Sequence, residues 1–156
     1  MFKHIMVALD GSSYSQQSLP TAIEIAKKFG SDVFILHVSE HDRGRAAVYS
    51  LESPAEATKL VADAVEVALQ AGVKASGAVH DAAAQHTAQV IVETAASKDV
   101  DLIVMGSRGL SDVQGFLLGS VAHKVIQTAS IPVLVDRTPA SHKPAEEPAP
   151  KKLAAV

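Results

Sequence analysis

The sequence contains no cysteine, which excludes disulfide bonds, thiolate zinc sites and cysteine nucleophiles. It has no tryptophan either, and aromatic residues make up only 4% of the chain. No apolar run approaches the roughly 20 residues that a membrane-spanning helix needs, and the first nine residues lack the basic start and cleavage site of a signal peptide. We therefore expect a cytoplasmic protein without a membrane partner.

An excess of positive charge is also missing, because the formal net charge is -3 at pH 7. A broad basic surface that neutralises many phosphates is therefore not expected, and no nucleic acid partner is predicted. A single nucleotide remains compatible with this charge, since backbone amides and a helix N-terminus bind phosphate without extra lysine or arginine.

Apolar residues are abundant at 47%, and Ala, Val, Ile and Leu supply most of them. Short apolar runs typical of buried strands alternate with helical patterns. This alternation predicts an α/β fold in which a mostly parallel sheet is covered by helices on both faces. The predicted strands are Ile5–Leu9, Val33–Val38, Ala75–Val79, Leu102–Met105 and Val133–Val135.

Capping signals indicate where the helices begin and end. The clearest is the capping box of Ser53 and Glu56, with Pro54 at the first helical position. In the first helix, Pro20 predicts a kink near Gln16 or a start later than the cap suggests. The helices are expected from near Ser13 to Gly30, from Pro54 to Gly72, over Ala83–Ser97, and from Ser120 to near Ala129.

Two segments fall outside this pattern. Residues 39–52 are polar and irregular, and are either a mobile flap over a ligand or, as we prefer, a tolerant loop. Residues 138–156 are dominated by Pro, Ala, Lys and Glu, which predicts a disordered tail. The sequence therefore predicts a single domain over residues 1–137.

A glycine-rich segment between the fourth predicted strand and the fourth helix carries the clearest functional signal. Its glycines Gly106, Gly109 and Gly119 are followed by Ser120. Glycines at such a place allow positive φ and close approach of the backbone, so that successive N–H groups form an anion-binding nest. Ser120 adds a hydroxyl where the helix dipole favours phosphate.

The spacing of these residues matches neither the usual dinucleotide fingerprint nor the P-loop. It resembles the nucleotide-binding signature of the universal stress protein family, which is Gly, two residues, Gly, nine residues, Gly, and Ser or Thr. The resemblance extends from Lys3 to about Arg137. It includes the segments Ile5–Ser12, Leu36–Val38, Asp101–Met105 and Ile131–Val135.

This resemblance implies a Rossmann-like, five-stranded parallel sheet in the order 3-2-1-4-5, with a ligand at the switch point between the first and fourth strands. It implies ATP as ligand, or AMP, ADP or cAMP in its place. Asp10 would face the ribose or a nucleotide-bound Mg²⁺, while Ala8 and Val38 would contact adenine. The other binding residues implied are Leu9, Met105, Gly106, Arg108, Gly109, Gly119, Ser120 and Val121.

Several of these residues also have a structural interpretation. Asp10 caps turns readily, Ser120 could be only the N-cap of its helix, and Arg108 is as well explained by a solvated charge as by a phosphate contact. The chain also departs from the family pattern. It has His80-Asp81-Ala82 where members usually have Gly-Asp-Pro in a loop, and Ala8 where ATP-binding members often have proline.

The seven histidines suggest a metal site, above all His80 and His86 beside Asp81. Their spacing fits no zinc signature, so surface or capping roles are favoured. His37, inside an apolar strand, is expected to be a partly buried histidine with its hydrogen bonds satisfied.

The leading hypothesis is a regulatory stress-response module that binds ATP, because a phosphate cradle is present without an evident general base. No catalytic residue is assigned. A weak Mg²⁺-dependent ATPase is the second hypothesis, with Asp10 holding Mg²⁺ and Arg108 stabilising charge. A nucleotide-free protein-interaction factor is the third.

The last predicted strand indicates a homodimer. Val133–Val135 would form an apolar edge of the sheet, and Pro132 suits the start of an edge strand. Such an edge is usually covered or paired, and the family resemblance likewise implies pairing of residues 133–135 between two copies.

Overall fold

The computed structural model describes residues 1–43, 48–50, 52–108 and 118–137, without the side chains of residues 13 and 42–50. Strands and helices alternate along the chain, as the sequence predicts. The strands are β1 (His4–Leu9), β2 (Asp32–Arg43), β3 (Val48–Ser50), β4 (Ala75–Ala83), β5 (Leu102–Gly106) and β6 (Val133–Asp136). The helices are α1 (Ser13–Phe29), α2 (Pro54–Gln70), α3 (Thr87–Ser97) and α4 (Ser120–Thr128).

The sheet has a parallel core. β1 pairs with β2 on one side and β5 on the other, β4 lies beyond β2, and β6 lies beyond β5. The resulting order β4-β2-β1-β5-β6 confirms the predicted 3-2-1-4-5 sheet. The direction of winding reverses between β1 and β5, so their carboxyl ends border the switch point.

Within the segment predicted as a loop, residues 39–43 and 48–50 form strands. β2 continues to Arg43, and β3 returns antiparallel to it, with His41 opposite Ser50. His41 also pairs with Ala83 of β4, so β3 must occupy the other edge of β2, the edge that β1 occupies earlier. Pairing with β4 as far as His41, and with β3 from His41 to Arg43, supplies backbone hydrogen bonds to this segment even though its side chains are polar.

Helix α1 is continuous through Pro20, so the expected later start is wrong. Proline removes one bond to the carbonyl of Gln16, and both residues lie on the exposed side of the helix, where water can replace that bond. The third helix begins four residues later than predicted, because β4 extends to Ala83 and a 3₁₀ turn follows. The His80-Asp81-Ala82 segment therefore belongs to a strand, and not to the expected loop.

Helices cover both faces of the sheet. α1 and α2 pack on one face, against side chains such as Ile5, Val7 and Ile35. α3 and α4 pack on the other, against side chains such as Met6, Leu36 and Ile103. Because both faces are covered, β1 and β5 carry almost uninterrupted apolar runs. In the described ranges, no helix is long and apolar enough to cross a membrane.

Candidate functional site

Asp10 forms the turn that leaves β1 at the switch point. Its Oδ1 accepts a hydrogen bond from the Ser12 N–H at 2.9 Å, and Gly11 takes a φ of +80° within the turn. This bend requires the left-handed backbone conformation, and that conformation favours glycine. Asp10 thus performs the structural role considered from the sequence. Its carboxylate has further lone pairs that can accept hydrogen bonds.

Two serines fasten this turn to α1. The Ser12 Oγ accepts the Ser15 N–H at 3.2 Å as the N-cap of the helix. The Ser15 Oγ accepts the Asp10 N–H at 3.2 Å. The Ser12 Oγ also donates to the carbonyl of Arg108 at 3.5 Å, which links the turn after β1 to the chain leaving β5.

Gly106 ends β5 in contact with the first turn of α1. A Cβ built at this position would lie 2.8 Å from the Ser15 nitrogen and 2.8 Å from the Tyr14 carbonyl carbon. Both are backbone atoms, so the first turn of α1 already fills the space beside this glycine. The chain does pass close to another group at Gly106, as predicted, but that group is the backbone of α1 rather than a ligand.

The two described ends of the glycine-rich segment meet at Ser107 and Gly119, and we call this junction the neck. The buried Ser107 donates its N–H to the Asp136 carbonyl at 2.7 Å and accepts the Gly119 N–H at 2.7 Å on its own carbonyl. Residues 109–117, which include the predicted site residue Gly109, lie outside the described ranges. The neck fixes the start of α4 beside the end of β5.

The N-cap of α4 is Gly119, in an extended conformation with φ -69° and ψ 158°. The predicted helix start at Ser120 is confirmed, and the alternative that Ser120 is only the N-cap is wrong, because Gly119 takes that position. Neither Gly106 nor Gly119 takes a positive φ. The first intrahelical bond runs from the His123 N–H to the Gly119 carbonyl at 2.9 Å. The N–H groups of residues 120–122 therefore precede it, at the positive end of the helix dipole.

Arg108 follows Ser107 and is held against α1. Its guanidinium carbon lies 5.6 Å from the centroid of the Tyr14 ring, which is a cation–π distance. The side chain is therefore ordered by an aromatic neighbour at the rim of the switch point, beside the turn of Asp10.

Among the described residues, residues 38–40 of β2 have no ladder partner on the edge that faces β1 and β3, and we call this stretch the edge gap. The β1 ladder ends at the pair Leu9 and His37, and the β3 ladder begins at the pair His41 and Ser50. The gap is about 10 Å long, at roughly 3.3 Å per residue. The buried side chains of Ala8 and Val38 lie on the α3/α4 face beside it.

Polar pairs flank the edge gap on both faces of the sheet. On the α1/α2 face, the buried His37 donates from Nδ1 to the Leu9 carbonyl at 2.8 Å, and its Nε2 contacts the Glu52 carboxyl. The prediction of a satisfied histidine is confirmed, and its burial is complete rather than partial. On the α3/α4 face, the Thr87 hydroxyl donates to Glu40 Oε1 at 2.6 Å.

The shifted pKa values of His4 and Glu56 belong to groups away from this site. The hydrogen bond that the His4 ring donates to the Asp32 carboxylate raises the pKa of His4 at the amino end of the sheet. Hydrogen bonds from the Ser53 backbone and side chain lower the pKa of Glu56 at the start of α2. Among the described residues, no three His, Asp or Glu side chains are placed to hold a metal ion together.

The fold brings most of the predicted site residues to one end of the sheet. Ala8 and Leu9 end β1, Asp10 follows them, and Val38 lies on the neighbouring strand β2. Met105 and Gly106 end β5, and Gly119, Ser120 and Val121 begin α4. Sequence analysis did not single out Ser12 and Ser15, although their spacing is a capping signal. It also missed Glu40 and Thr87, which are 47 residues apart and carry no shared motif.

Comparisons with known proteins agree with this fold. The sequence model of the universal stress protein family matches residues 1–137. Universal stress protein YxiE of Bacillus subtilis is 35% identical over 156 residues, covering 88% of this chain and all of that protein. A universal stress protein solved in complex with cAMP is 25% identical, with a TM-score of 0.68 over 88% of this chain and 98% of the other. The Archaeoglobus fulgidus protein in complex with dAMP is also 25% identical, with a TM-score of 0.65 and the same coverage of both chains. This chain belongs to the universal stress protein family.

Proposed function

We propose that this protein binds an adenine nucleotide, ATP above all, at the carboxyl ends of β1 and β5, and acts as a regulatory module in a stress response. The observation that carries the proposal is the convergence of the Asp10 turn, the neck at Ser107 and the start of α4 at the switch point. Relatives solved with cAMP and dAMP support the class of ligand.

The order of the strands suggests how the nucleotide lies. The phosphates belong near β5, where the N–H groups of residues 120–122 and the guanidinium of Arg108 supply positive charge. The base belongs at the edge gap on β2, beside Ala8 and Val38. Asp10 lies between them, at the end of β1, in position for the ribose hydroxyls or a Mg²⁺ ion on the phosphates.

A regulatory role rather than fast hydrolysis follows from the chemistry of these groups. The residues at the neck and at the start of α4 provide positive charge and N–H donors. Asp10 is the one carboxylate among the proposed contacts, and one of its oxygens already holds the turn. Binding of the nucleotide would fix the positions of α4 and of the chain leaving β5 relative to α1. This change in conformation would serve as the regulatory signal.

Calorimetric titration with ATP, AMP and cAMP tests the proposal, and the absence of saturable binding for all three would refute it. Ser120→Asp sharpens the test, because an acidic residue in the first turn favours the helix and repels a phosphate there. We expect its affinity for ATP to fall about tenfold or more. Ala55→Asp makes the same change in the first turn of α2, on the opposite face, and should leave the affinity unchanged.

The same proposal includes a homodimer. β6 ends the parallel order of strands and is only half-buried along its length. A second copy pairing along residues 133–136 would cover this edge. Light scattering should then give twice the chain mass, and a monomer at micromolar concentration would contradict the dimer without affecting the nucleotide proposal.

A further inference from the structure

A pocket of about 390 Å³ lies on the α1/α2 face, between the first turn of α2 and the strands β2 and β4. Its lining includes Ser39 of β2 and Asp81 of β4. Side chains alternate along a strand, so Ser39 shares the face of Ile35, which packs against α2. The proposed contacts of the nucleotide base, Ala8 and Val38, lie on the other face of the sheet. The pocket is therefore separate from the proposed nucleotide site.

Ser39 indicates that this pocket receives a polar group. The residue is only 6% exposed, yet its hydroxyl forms no hydrogen bond with any residue in the described ranges. The hydroxyl is open to the pocket rather than sealed in the core. A hydroxyl in such a place costs free energy unless a water molecule or a ligand supplies the missing hydrogen bond.

Two further side chains bring hydrogen-bond acceptors to the same pocket. Asp81 is the partner of Ser39 in the register of β2 and β4, about 4.8 Å away across the strands. His41 lies two residues after Ser39 on the same face, about 7 Å along the strand. Neither side chain forms a hydrogen bond or an ion pair within the described part of the chain. A carboxylate, a hydroxyl and a neutral imidazole all accept hydrogen bonds, and an ammonium group has three N–H donors and a positive charge to match them.

The rest of the lining is mainly apolar. Ala57 is fully buried beside the polar groups, Val79 is half-buried, and Pro54 lies at the exposed rim. A hydrated metal ion gains nothing from an apolar wall, whereas a short hydrocarbon chain leaves water by lying against it. The positive end of the α2 dipole opposes a cation, but the carboxylate of Glu56 in the same turn offsets it.

We infer that this pocket binds a small organic amine. Its ammonium group donates to Ser39, Asp81 and His41, and its hydrocarbon part lies against the apolar wall. The amine site is additional to the proposed nucleotide site and does not depend on it. A bound amine would join the start of α2 to β2 and β4.

NMR titration with n-butylammonium chloride tests the site, because this probe combines one ammonium group with a short hydrocarbon chain. Saturable shifts are expected at the amides of Ser39, Ala57 and Val79. Sodium butyrate has a similar chain with the opposite charge, and magnesium chloride supplies a cation without a chain, so neither should produce these shifts. Asp81→Asn should weaken butylammonium binding about tenfold, and Ser39→Ala about threefold, as expected for a charged and a neutral hydrogen bond.

Asp63→Asn is the matched control, since it makes the same change at an exposed position of α2 and should leave the affinity as in the wild type. Thermal unfolding of each variant checks that the fold is intact. Shifts that rise without saturating, an equal response to butyrate, or an unchanged affinity in Asp81→Asn would overturn the inference. A saturable response to magnesium chloride at the same amides would overturn it in favour of a metal site. Each of these results leaves the nucleotide proposal standing.

Discussion

Substitution of Gly106 by alanine tests the junction on which the proposed site is built. The added methyl group would lie 2.8 Å from two backbone atoms in the first turn of α1 and 3.0 Å from the Tyr14 carbonyl oxygen. Ordinary contacts of a methyl group begin at about 3.5 Å. No rotation of a side chain relieves the overlap, so β5 and α1 must separate by several tenths of an ångström.

The cost follows from two opposing effects. Overpacking in a well-packed interior destabilises a protein by about 1–3 kcal/mol. Replacing glycine by alanine in a strand recovers about 0.5–1 kcal/mol of backbone entropy. We therefore expect a net loss of about 1–2 kcal/mol in the free energy of unfolding. For a domain of this size, that loss lowers the Tm by about 3–8 °C.

Calorimetry and urea denaturation of wild type and Gly106→Ala measure the loss. Gly72→Ala is the matched control, because its φ of +82° strains the backbone while no atom lies within 4 Å of the added methyl group. Only Gly106→Ala should also weaken ATP binding, since it moves the neck at Ser107. An unchanged Tm in Gly106→Ala would show that α1 and β5 do not meet as described.

Two further predictions concern the hydrogen bonds of single side chains. Ser12→Ala removes the N-cap of α1 and the bond to the Arg108 carbonyl, so unfolding in urea should show a loss of about 1–2 kcal/mol; an unchanged midpoint would contradict the capping role. Asp32→Asn should bring the pKa of His4 down toward its ordinary value, because the hydrogen bond that the His4 ring donates to the Asp32 carboxylate is the main cause of its rise. The pair stabilises the folded state below the ordinary histidine pKa and ceases to do so as pH rises through the raised value. An NMR titration of the His4 ring that is the same in both proteins would refute this.

The sequence alone determined the layered architecture. Apolar runs such as Ile5–Leu9 and Leu102–Met105 are short and flanked by helical periodicity, and parallel pairing with helices on both faces is the stable way to bury them. Local chemistry was equally informative at the capping box of Ser53 and Glu56, because both partners lie within one turn. The spacing of Gly106, Gly109, Gly119 and Ser120 indicated the family for the same reason, since a motif is local in the chain.

The tertiary structure decided what depends on contacts between distant segments. β2 continues through polar residues because β3 and β4 pair with its two edges, and neither partner is visible in the local pattern. Gly106 is required by the approach of α1, which begins some ninety residues earlier in the chain. Glu40 meets Thr87 only because β2 and α3 pack on one face. Periodicity and capping act over a few residues, whereas close packing and hydrogen bonds across the core depend on the whole chain being folded.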